Sequence, residues 1–348
     1  MPNARASHLT RRGILAAGGA LGLGAVLAAC GDDDAKSDGS GEATTAGKSG
    51  PWTFKDDRGT TVKLDKVPTK IVAFVGVAAA LYDYGIDVKG VFGPTKTQDG
   101  KADVQAGDMD VSKLTVFGNV WDQFNVEQYA AFAPEVLIST TFDSAGTLWY
   151  VPEASKDKIA KLAPSAAISV YDRQITQPLQ KMWELAESLG ADMKAAKTAQ
   201  AKKDFEAAAE RLRKAAKSRP EIKVMAGSAS QDIFYVSGTN LSIDLEYFKS
   251  LGVNFVEPPE SAKKEGGGWF ESLSWENVDK YPADIIMMDD RSSTIQPKDI
   301  TEATWKKLPA VKAGQVIARS PEPILSYAKC TPLLTNLAEA IEKAKKVG

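Results

Sequence analysis

Histidine and cysteine are scarce in this chain. Its 348 residues include one histidine, His8, and two cysteines, Cys30 and Cys330. Two cysteines are too few for a disulfide-rich scaffold or a four-thiolate zinc site. If the first 29 residues are removed on export, as argued below, no histidine remains. That absence excludes histidine metal ligands, haem–histidine sites, Ser-His-Asp and Cys-His catalysis and the zincin motifs.

Excess positive charge is also lacking. Basic residues number 43 and acidic residues 45, so nothing indicates nucleic-acid binding. Hydrophobic residues make up 43% and charged residues 25%, which is typical of a globular protein and excludes a largely disordered chain or a polytopic membrane protein. At about 150 residues per domain, the length predicts about two domains.

The one long apolar run, residues 14–29, is shorter than the ~20 residues that a bilayer-spanning helix needs. It follows Arg11 and Arg12 and ends in small residues, which predicts an export signal over residues 1–29 rather than a membrane anchor helix. The arginine pair resembles a twin-arginine signal. The stretch 27–31, LAACG, resembles a bacterial lipobox, so Cys30 is the expected lipidation site. Cys330 would then have no intramolecular partner and would serve as a small apolar residue.

Residues 31–50 contain no aromatic residue, valine, isoleucine, leucine or methionine. Such a stretch cannot bury a core, so residues 30–51 are expected to be a flexible, lipidated tether with a span on the order of 25 Å. The predicted location is the outer face of the cytoplasmic membrane, with contact to the membrane only through the N-terminal lipid.

From Trp52 onward, strand and helix patterns alternate. Trp52–Lys55 and Thr61–Leu64 flank Asp57-Arg58-Gly59, a hairpin signal. Buried-type runs predict further strands, and an apolar run predicts a short helix at residues 78–84. The predicted strands are residues 70–75, 136–139, 166–171, 222–226, 284–288 and 315–318. This alternation predicts an α/β architecture.

Residues 192–218 predict one long helix, with Asp192 as its N-cap and an end before Pro220. The helix would be roughly 40 Å long. Its central position favours a strut between an N-terminal lobe (52–191) and a C-terminal lobe (219–348). The alternative is an amphipathic surface helix within a single domain.

A short pattern occurs once on each side of this helix. Glu127 precedes Glu135 by eight residues, and Glu276 precedes Asp284 by eight residues. In each copy the first glutamate belongs to a short capped helix, which is followed by a proline, the second acid and a buried strand. The repetition suggests two related lobes.

The order of these motifs resembles the helical-backbone (class III) ABC-transporter substrate-binding lipoproteins of the iron–siderophore and cobalamin group. The residues that carry the resemblance are the hairpin 57–59 leading to 67–72, Glu127 with 134–138, the stretch 273–276 and the stretch 305–316. The resemblance implies two Rossmann-like lobes joined by a single long α-helix, with the ligand in the cleft between the lobes. It also implies that one exposed glutamate per lobe, here Glu127 and Glu276, docks an ABC permease; the alternative is an acid favoured by the helix dipole.

Ligands of open α/β sheets bind beyond the carboxyl ends of the strands. The loops at these ends are rich in rings and carry scattered arginines, which could stack on a bulky ligand and donate hydrogen bonds to its oxygens. Each aromatic residue could instead pack in the core, and Asp289 or Asp290 could simply pair with Arg291. The candidate ligand-binding residues are Trp121, Trp149, Tyr150, Tyr235, Trp269, Arg291 and Arg319.

The resulting hypothesis is a binding lipoprotein, not an enzyme, that delivers a ferric siderophore to an ABC importer. A hydroxamate is favoured over a catecholate, because a ferric tris-catecholate carries about three negative charges and would need a basic cluster. No cofactor and no protein-bound metal are expected beyond the iron of the ligand. The alternatives are cobalamin or haem binding by the same architecture, a lipoprotein hydrolase with a Ser-Lys dyad, and a partner-docking lipoprotein with a closed, empty cleft.

Overall fold

Two large β-sheets, separated along the chain by one long helix, organise residues 50–348, which are the residues described by the computed structural model. The predicted export signal, the predicted lipidation site Cys30 and nearly all of the predicted tether lie outside the described residues. Each predicted strand is present, with ends shifted by at most three residues. The α/β prediction is therefore confirmed.

The strands of the first half are β1 (Trp52–Lys55), β2 (Thr61–Leu64), β3 (Ile71–Phe74), β4 (Gly90–Phe92), β5 (Thr115–Val116), β6 (Val136–Thr141) and β7 (Ser165–Ser169). The strands of the second half are β8 (Lys223–Ala229), β9 (Ile233–Ser237), β10 (Asn254–Phe255), β11 (Phe270–Ser274), β12 (Ile285–Asp289) and β13 (Val316–Arg319). The α-helices are α1 (Val75–Asp83), α2 (Val126–Phe132), α3 (Lys156–Leu162), α4 (Thr176–Ser188), α5 (Ala196–Ser218), α6 (Ile243–Ser250), α7 (Ala303–Lys307), α8 (Pro309–Lys312) and α9 (Tyr327–Lys343).

The first large sheet has the strand order β5-β4-β3-β6-β7, and all of its pairs are parallel. Every residue of β3 and β6 is buried, as expected for central parallel strands covered on both faces. The β1–β2 hairpin forms a separate antiparallel ribbon. The sheet therefore brings the loops after β4 and β6 to one edge.

The second large sheet is mixed. Its order is β11-β9-β8-β12-β13, and β10 also pairs with β8. Strands β8, β12 and β13 are parallel, whereas β9 runs antiparallel to both β8 and β11. The residues between β8 and β9, 230–232, leave room only for a tight turn, and a tight turn can join only antiparallel strands.

The long helix α5 begins at Ala196, four residues later than predicted. Asp192 is not its N-cap: the Asp192 carboxylate accepts the backbone N–H of Lys194 (2.9 Å), which closes a local turn ahead of the helix. The 23 residues of α5 make it about 35 Å long. The helix ends at Ser218, as the Arg219-Pro220 pair predicts.

Helix α5 is packed rather than free-standing. Its apolar face, including Phe205 and Leu212, lies along α9. These side chains belong to one buried hydrophobic cluster that also contains Val72 of the first sheet and Met287 of the second. The described residues form one compact unit, and the proposed lobe limits of 52–191 and 219–348 stay a prediction.

Three further predictions concern membranes, metals and Cys330. Within residues 50–348, no helix combines the length and apolarity needed to span a bilayer, and no three or more His, Cys, Asp or Glu side chains are grouped as a metal site would need. Cys330 is a free thiol and completely buried in α9. Burial raises its thiol pKa.

Candidate functional site

A cavity of about 870 Å³ lies between loops of the first sheet and loops of the second. The loops from the first half contribute residues 121–122, 142–143 and 147–153. The second half contributes residues of strands β8, β9, β11, β12 and β13 and residues of the segments between and after these strands. All of the predicted ligand-binding residues lie in its wall, namely Trp121, Trp149, Tyr150, Tyr235, Trp269, Arg291 and Arg319.

Trp149 occupies the centre of an aromatic wall. Its ring centroid lies 4.6 Å from that of Trp121, 4.6 Å from that of Phe142 and 5.8 Å from that of Tyr150. Phe142 in turn lies 6.3 Å from Trp269, which belongs to the other side of the cavity. Ring pairs at these separations are attractive beyond the area they bury, so the wall continues from one sheet to the other.

The loop after β6 folds back onto its own strand and thereby presents Trp149. The backbone N–H of Trp149 donates to the carbonyl of Thr140 (2.9 Å), and the hydroxyl of Ser139 donates to the carbonyl of Trp149 (2.9 Å). Asp143 closes the loop by accepting the N–H of Thr147 (2.9 Å). These bonds place the indole over the carboxyl end of the sheet.

Tyr150 adopts a left-handed backbone conformation, with φ of 60°. Such a conformation is uncommon for a bulky residue and is retained only where the surroundings impose it. Burial, with a contribution from the negative charge of Glu322, raises the pKa of Tyr150 to about 12. The phenol therefore stays neutral at physiological pH and can donate a hydrogen bond.

The two arginines are not the uncommitted donors that the sequence suggested. Arg319 is buried and bonds both oxygens of Asp244, through Nε at 2.8 Å and Nη2 at 2.9 Å. Arg291 bonds Asp289 (Nη2–Oδ2, 2.6 Å) and Glu322. The pairing of Asp289 with Arg291 was the alternative interpretation. A guanidinium has five N–H donors, so both side chains keep donors for a ligand, but their charge is already balanced.

Burial opposes the charged form of Arg291, but its hydrogen bond to Asp289 and the nearby charge of Glu322 prevail and raise its pKa. Arg291 is therefore a permanent cation. Acids still outnumber arginines in the cavity wall, which also contains Asp122, Asp143 and Glu153. The site as a whole carries negative charge.

Sixteen residues of the wall were not among the predicted ligand-binding residues, and they include Phe142, Phe270 and Glu322. Phe142 directly follows β6, Phe270 begins β11, and Glu322 lies three residues beyond the end of β13. The rule that selected Arg319, proximity to the carboxyl end of a strand, would also have found Phe142 and Glu322. Phe270 has no such signal, because it lies at the amino end of an antiparallel strand.

A family model described as "Periplasmic binding protein" matches residues 75–323 of this chain. The chain belongs to the periplasmic binding protein family. Within this family it is similar to the crystal structure of DesE, a ferric-siderophore receptor protein from Streptomyces coelicolor, with 79% identity and a TM-score of 0.84. That match covers 85% of this chain and 100% of DesE.

The chain is also similar to more distant proteins, one by sequence and one by structure. The iron(3+)-hydroxamate-binding protein FhuD of Bacillus subtilis is 27% identical over 315 residues, which cover 87% of this chain and 88% of FhuD. The petrobactin-binding protein YclQ of Bacillus subtilis is 17% identical with a TM-score of 0.62, covering 84% of this chain and 99% of YclQ. The resemblance stated from the motifs is therefore confirmed.

The proposed permease-docking residues of this periplasmic binding protein are both exposed. Glu127 lies in the first turn of α2, which is capped by the side chain of Asn125 accepting the N–H of Gln128 (2.9 Å). Glu276 lies in a single 3₁₀ turn, Trp275–Asn277. Their docking role stays a prediction.

Proposed function

We propose that this protein is an extracytoplasmic solute-binding lipoprotein that delivers a ferric siderophore to an ABC importer. The observation that carries the proposal is the 870 Å³ cavity whose wall of rings spans both sheets. A bulky chelate gains from such a wall because aromatic rings supply apolar area and stacking surfaces. Membership of the family and the 79% identity to a ferric-siderophore receptor support it.

The charge of the cavity wall favours a ferric trihydroxamate over a tris-catecholate. Both arginines are bonded to carboxylates, and further acids line the cavity. A chelate with about three negative charges would be repelled by this surface, whereas a neutral trihydroxamate would not. The similarity to an iron(3+)-hydroxamate-binding protein supports the same choice.

The proposed role is binding and delivery without a chemical step. Cys30 would carry the lipid that holds the protein at the outer face of the cytoplasmic membrane, after export through a signal of the twin-arginine type. Glu127 and Glu276 would each contact basic residues of the permease, one on each side of the cavity.

Tryptophan fluorescence titration of the purified chain tests the ligand class. The probes are a ferric trihydroxamate, a ferric tris-catecholate, cyanocobalamin and haemin, each added to the same protein sample. We expect saturable quenching by the trihydroxamate and weaker or no saturation with the others. Saturation by cyanocobalamin or haemin alone would replace the siderophore proposal, and no saturation by any probe would contradict it.

A further inference from the structure

Glu322 joins the two sides of the binding cavity. It lies in the segment between β13 and α9, and only 10% of its side chain is exposed. Its Oε2 accepts the indole Nε1–H of Trp149 (3.1 Å) and an Nε2–H of Gln105 (3.1 Å), both from the first half of the chain. Its Oε1 accepts from Arg291 of the second half.

A second contact joins the same two sides of the cavity. The hydroxyl of Ser292, next to Arg291, donates to the carboxylate of Asp103, which caps the turn that contains Gln105. Gln105 and Asp103 are both buried. The turn at residues 103–106 is thus tied to Ser292 directly and to Arg291 through Glu322.

We propose that Glu322 is a positioning residue of the binding site: its carboxylate sets the orientation of the Trp149 indole and holds the two sides of the cavity together before ligand arrives. The proposal rests on the proposed function in that Trp149 is expected to contact the chelate. Trp149 contacts three other rings, so a rotation of its indole would disturb the whole wall. No other indole N–H in the cavity wall has a hydrogen bond to a carboxylate among the residues described.

The three groups that bond Glu322 require a carboxylate at this position. Trp149, Gln105 and Arg291 all present N–H donors, and an ionised carboxylate is acceptor-only on both oxygens. In Glu322→Gln, which has nearly the same shape, either the amide NH₂ faces Arg291 or it faces Trp149 and Gln105. Therefore either Arg291 or the pair of Trp149 and Gln105 loses its hydrogen bond to residue 322, without a change in packing volume.

A double-mutant cycle tests the proposal. The affinity of the ferric complex of a linear trihydroxamate is measured for wild type, Glu322→Gln, Trp149→Phe and the double variant. We expect Glu322→Gln to weaken binding about tenfold, the loss of one hydrogen bond to a charged group. In the Trp149→Phe background the same change should cost less than about twofold, since pairs in direct contact are not additive. Equal effects in both backgrounds, or wild-type affinity for Glu322→Gln, would overturn the proposal.

A measurement without ligand separates this proposal from the proposed function. The difference in emission between each protein and its Trp149→Phe counterpart isolates Trp149. We expect this component to be red-shifted and more accessible to acrylamide in Glu322→Gln than in wild type. An unchanged component would contradict the role of Glu322, whether or not any chelate binds; failure of wild type to bind any chelate would contradict only the proposed function.

Two more variants complete the design. Glu206→Gln removes an exposed glutamate of α5 away from the cavity and should change neither readout. Glu322→Asp keeps the charge but shortens the side chain by one methylene. The Trp149 emission should therefore again be red-shifted and more accessible to acrylamide. Glu322→Asp replaces Glu322→Gln if the latter does not fold.

Discussion

Glu135 and Asp284 make the same contact in the two sheets. Glu135 precedes β6 and accepts the backbone N–H of Lys70 (2.9 Å), just before β3, the parallel neighbour of β6. Asp284 precedes β12 and accepts the backbone N–H of Lys223 (2.8 Å), at the start of β8, the parallel neighbour of β12. The repeated proline–acid–strand pattern of the sequence therefore corresponds to a repeated strand-capping contact.

Asp284→Asn should destabilise the protein at neutral pH. Burial opposes ionisation, but backbone N–H donors prevail and lower the pKa of Asp284 from 3.8 to about 2; Glu135 is lowered from 4.5 to about 2 in the same way. Because the folded pKa lies below the unfolded one, this stabilisation is complete above pH 4 and is lost as the pH falls toward 2. We expect a loss of about 2 kcal/mol in the free energy of unfolding at pH 7.

Denaturant unfolding at pH 7, 4 and 2 measures this effect. The difference between wild type and Asp284→Asn should shrink as the pH falls to 2. Asp65→Asn, at an exposed acid after β2, is the control and should change little. A difference that stays constant or grows on acidification would show that Asp284 acts by packing rather than by its charge.

Removing a central ring should weaken ligand binding without unfolding the protein. Trp149→Ala and Trp269→Ala each delete a ring from the wall that crosses the cavity, and stacked aromatic contacts contribute about 0.5–1.5 kcal/mol beyond their buried area. We expect at least a tenfold weaker affinity for the ferric trihydroxamate in isothermal titration. Tyr82→Ala, which removes an exposed ring of α1 that does not line the cavity, should bind as wild type. Equal affinities for all three variants would show that the ligand does not bind against this aromatic wall.

Replacing only one residue of the buried Arg319–Asp244 pair should strongly lower the free energy of unfolding. The side chains are 5% and 2% exposed, so Arg319→Met leaves Asp244 charged and unpaired in the interior. We expect a loss of about 3–5 kcal/mol in the free energy of unfolding, and a smaller loss for the double variant Arg319→Met/Asp244→Leu.

Chemical denaturation of both variants checks this expectation. Arg213→Met, which breaks the exposed pair with Glu210, should cost less than about 1 kcal/mol. A double variant as unstable as the single one would show that the loss comes from packing around residue 319 and not from an uncompensated charge.

Charge reversal at the proposed docking residues should separate transport from binding. Glu127 and Glu276 are exposed and do not line the cavity, so Glu127→Lys and Glu276→Lys should keep wild-type affinity for the chelate. Uptake of radioactive iron by cells that depend on this protein should fall severalfold, because like charges would then face each other at the permease. Glu206→Lys is the matched control on α5. Normal uptake by both variants would remove these residues from the permease interface.

Local patterns were sufficient for most of the described strands, for the long helix and for seven residues of the cavity wall. The hairpin around Arg58, the buried runs of β3 and β6 and the end of α5 depend on neighbouring residues, and such short-range signals are readable without a structure. The aromatic wall residue Trp149 could be predicted for a related reason: ligand sites of α/β sheets lie in the loops at the carboxyl ends of the strands.

The sequence by itself thus determined the α/β architecture, the long helix and the loops that carry the rings. Only the tertiary structure decided the partners of the charged groups. Arg319 meets Asp244 and Glu322 meets Trp149 across 75 and 173 residues of chain. Charge and hydrogen bonding act at contact distance in space, and chain folding, not sequence spacing, brings such residues together.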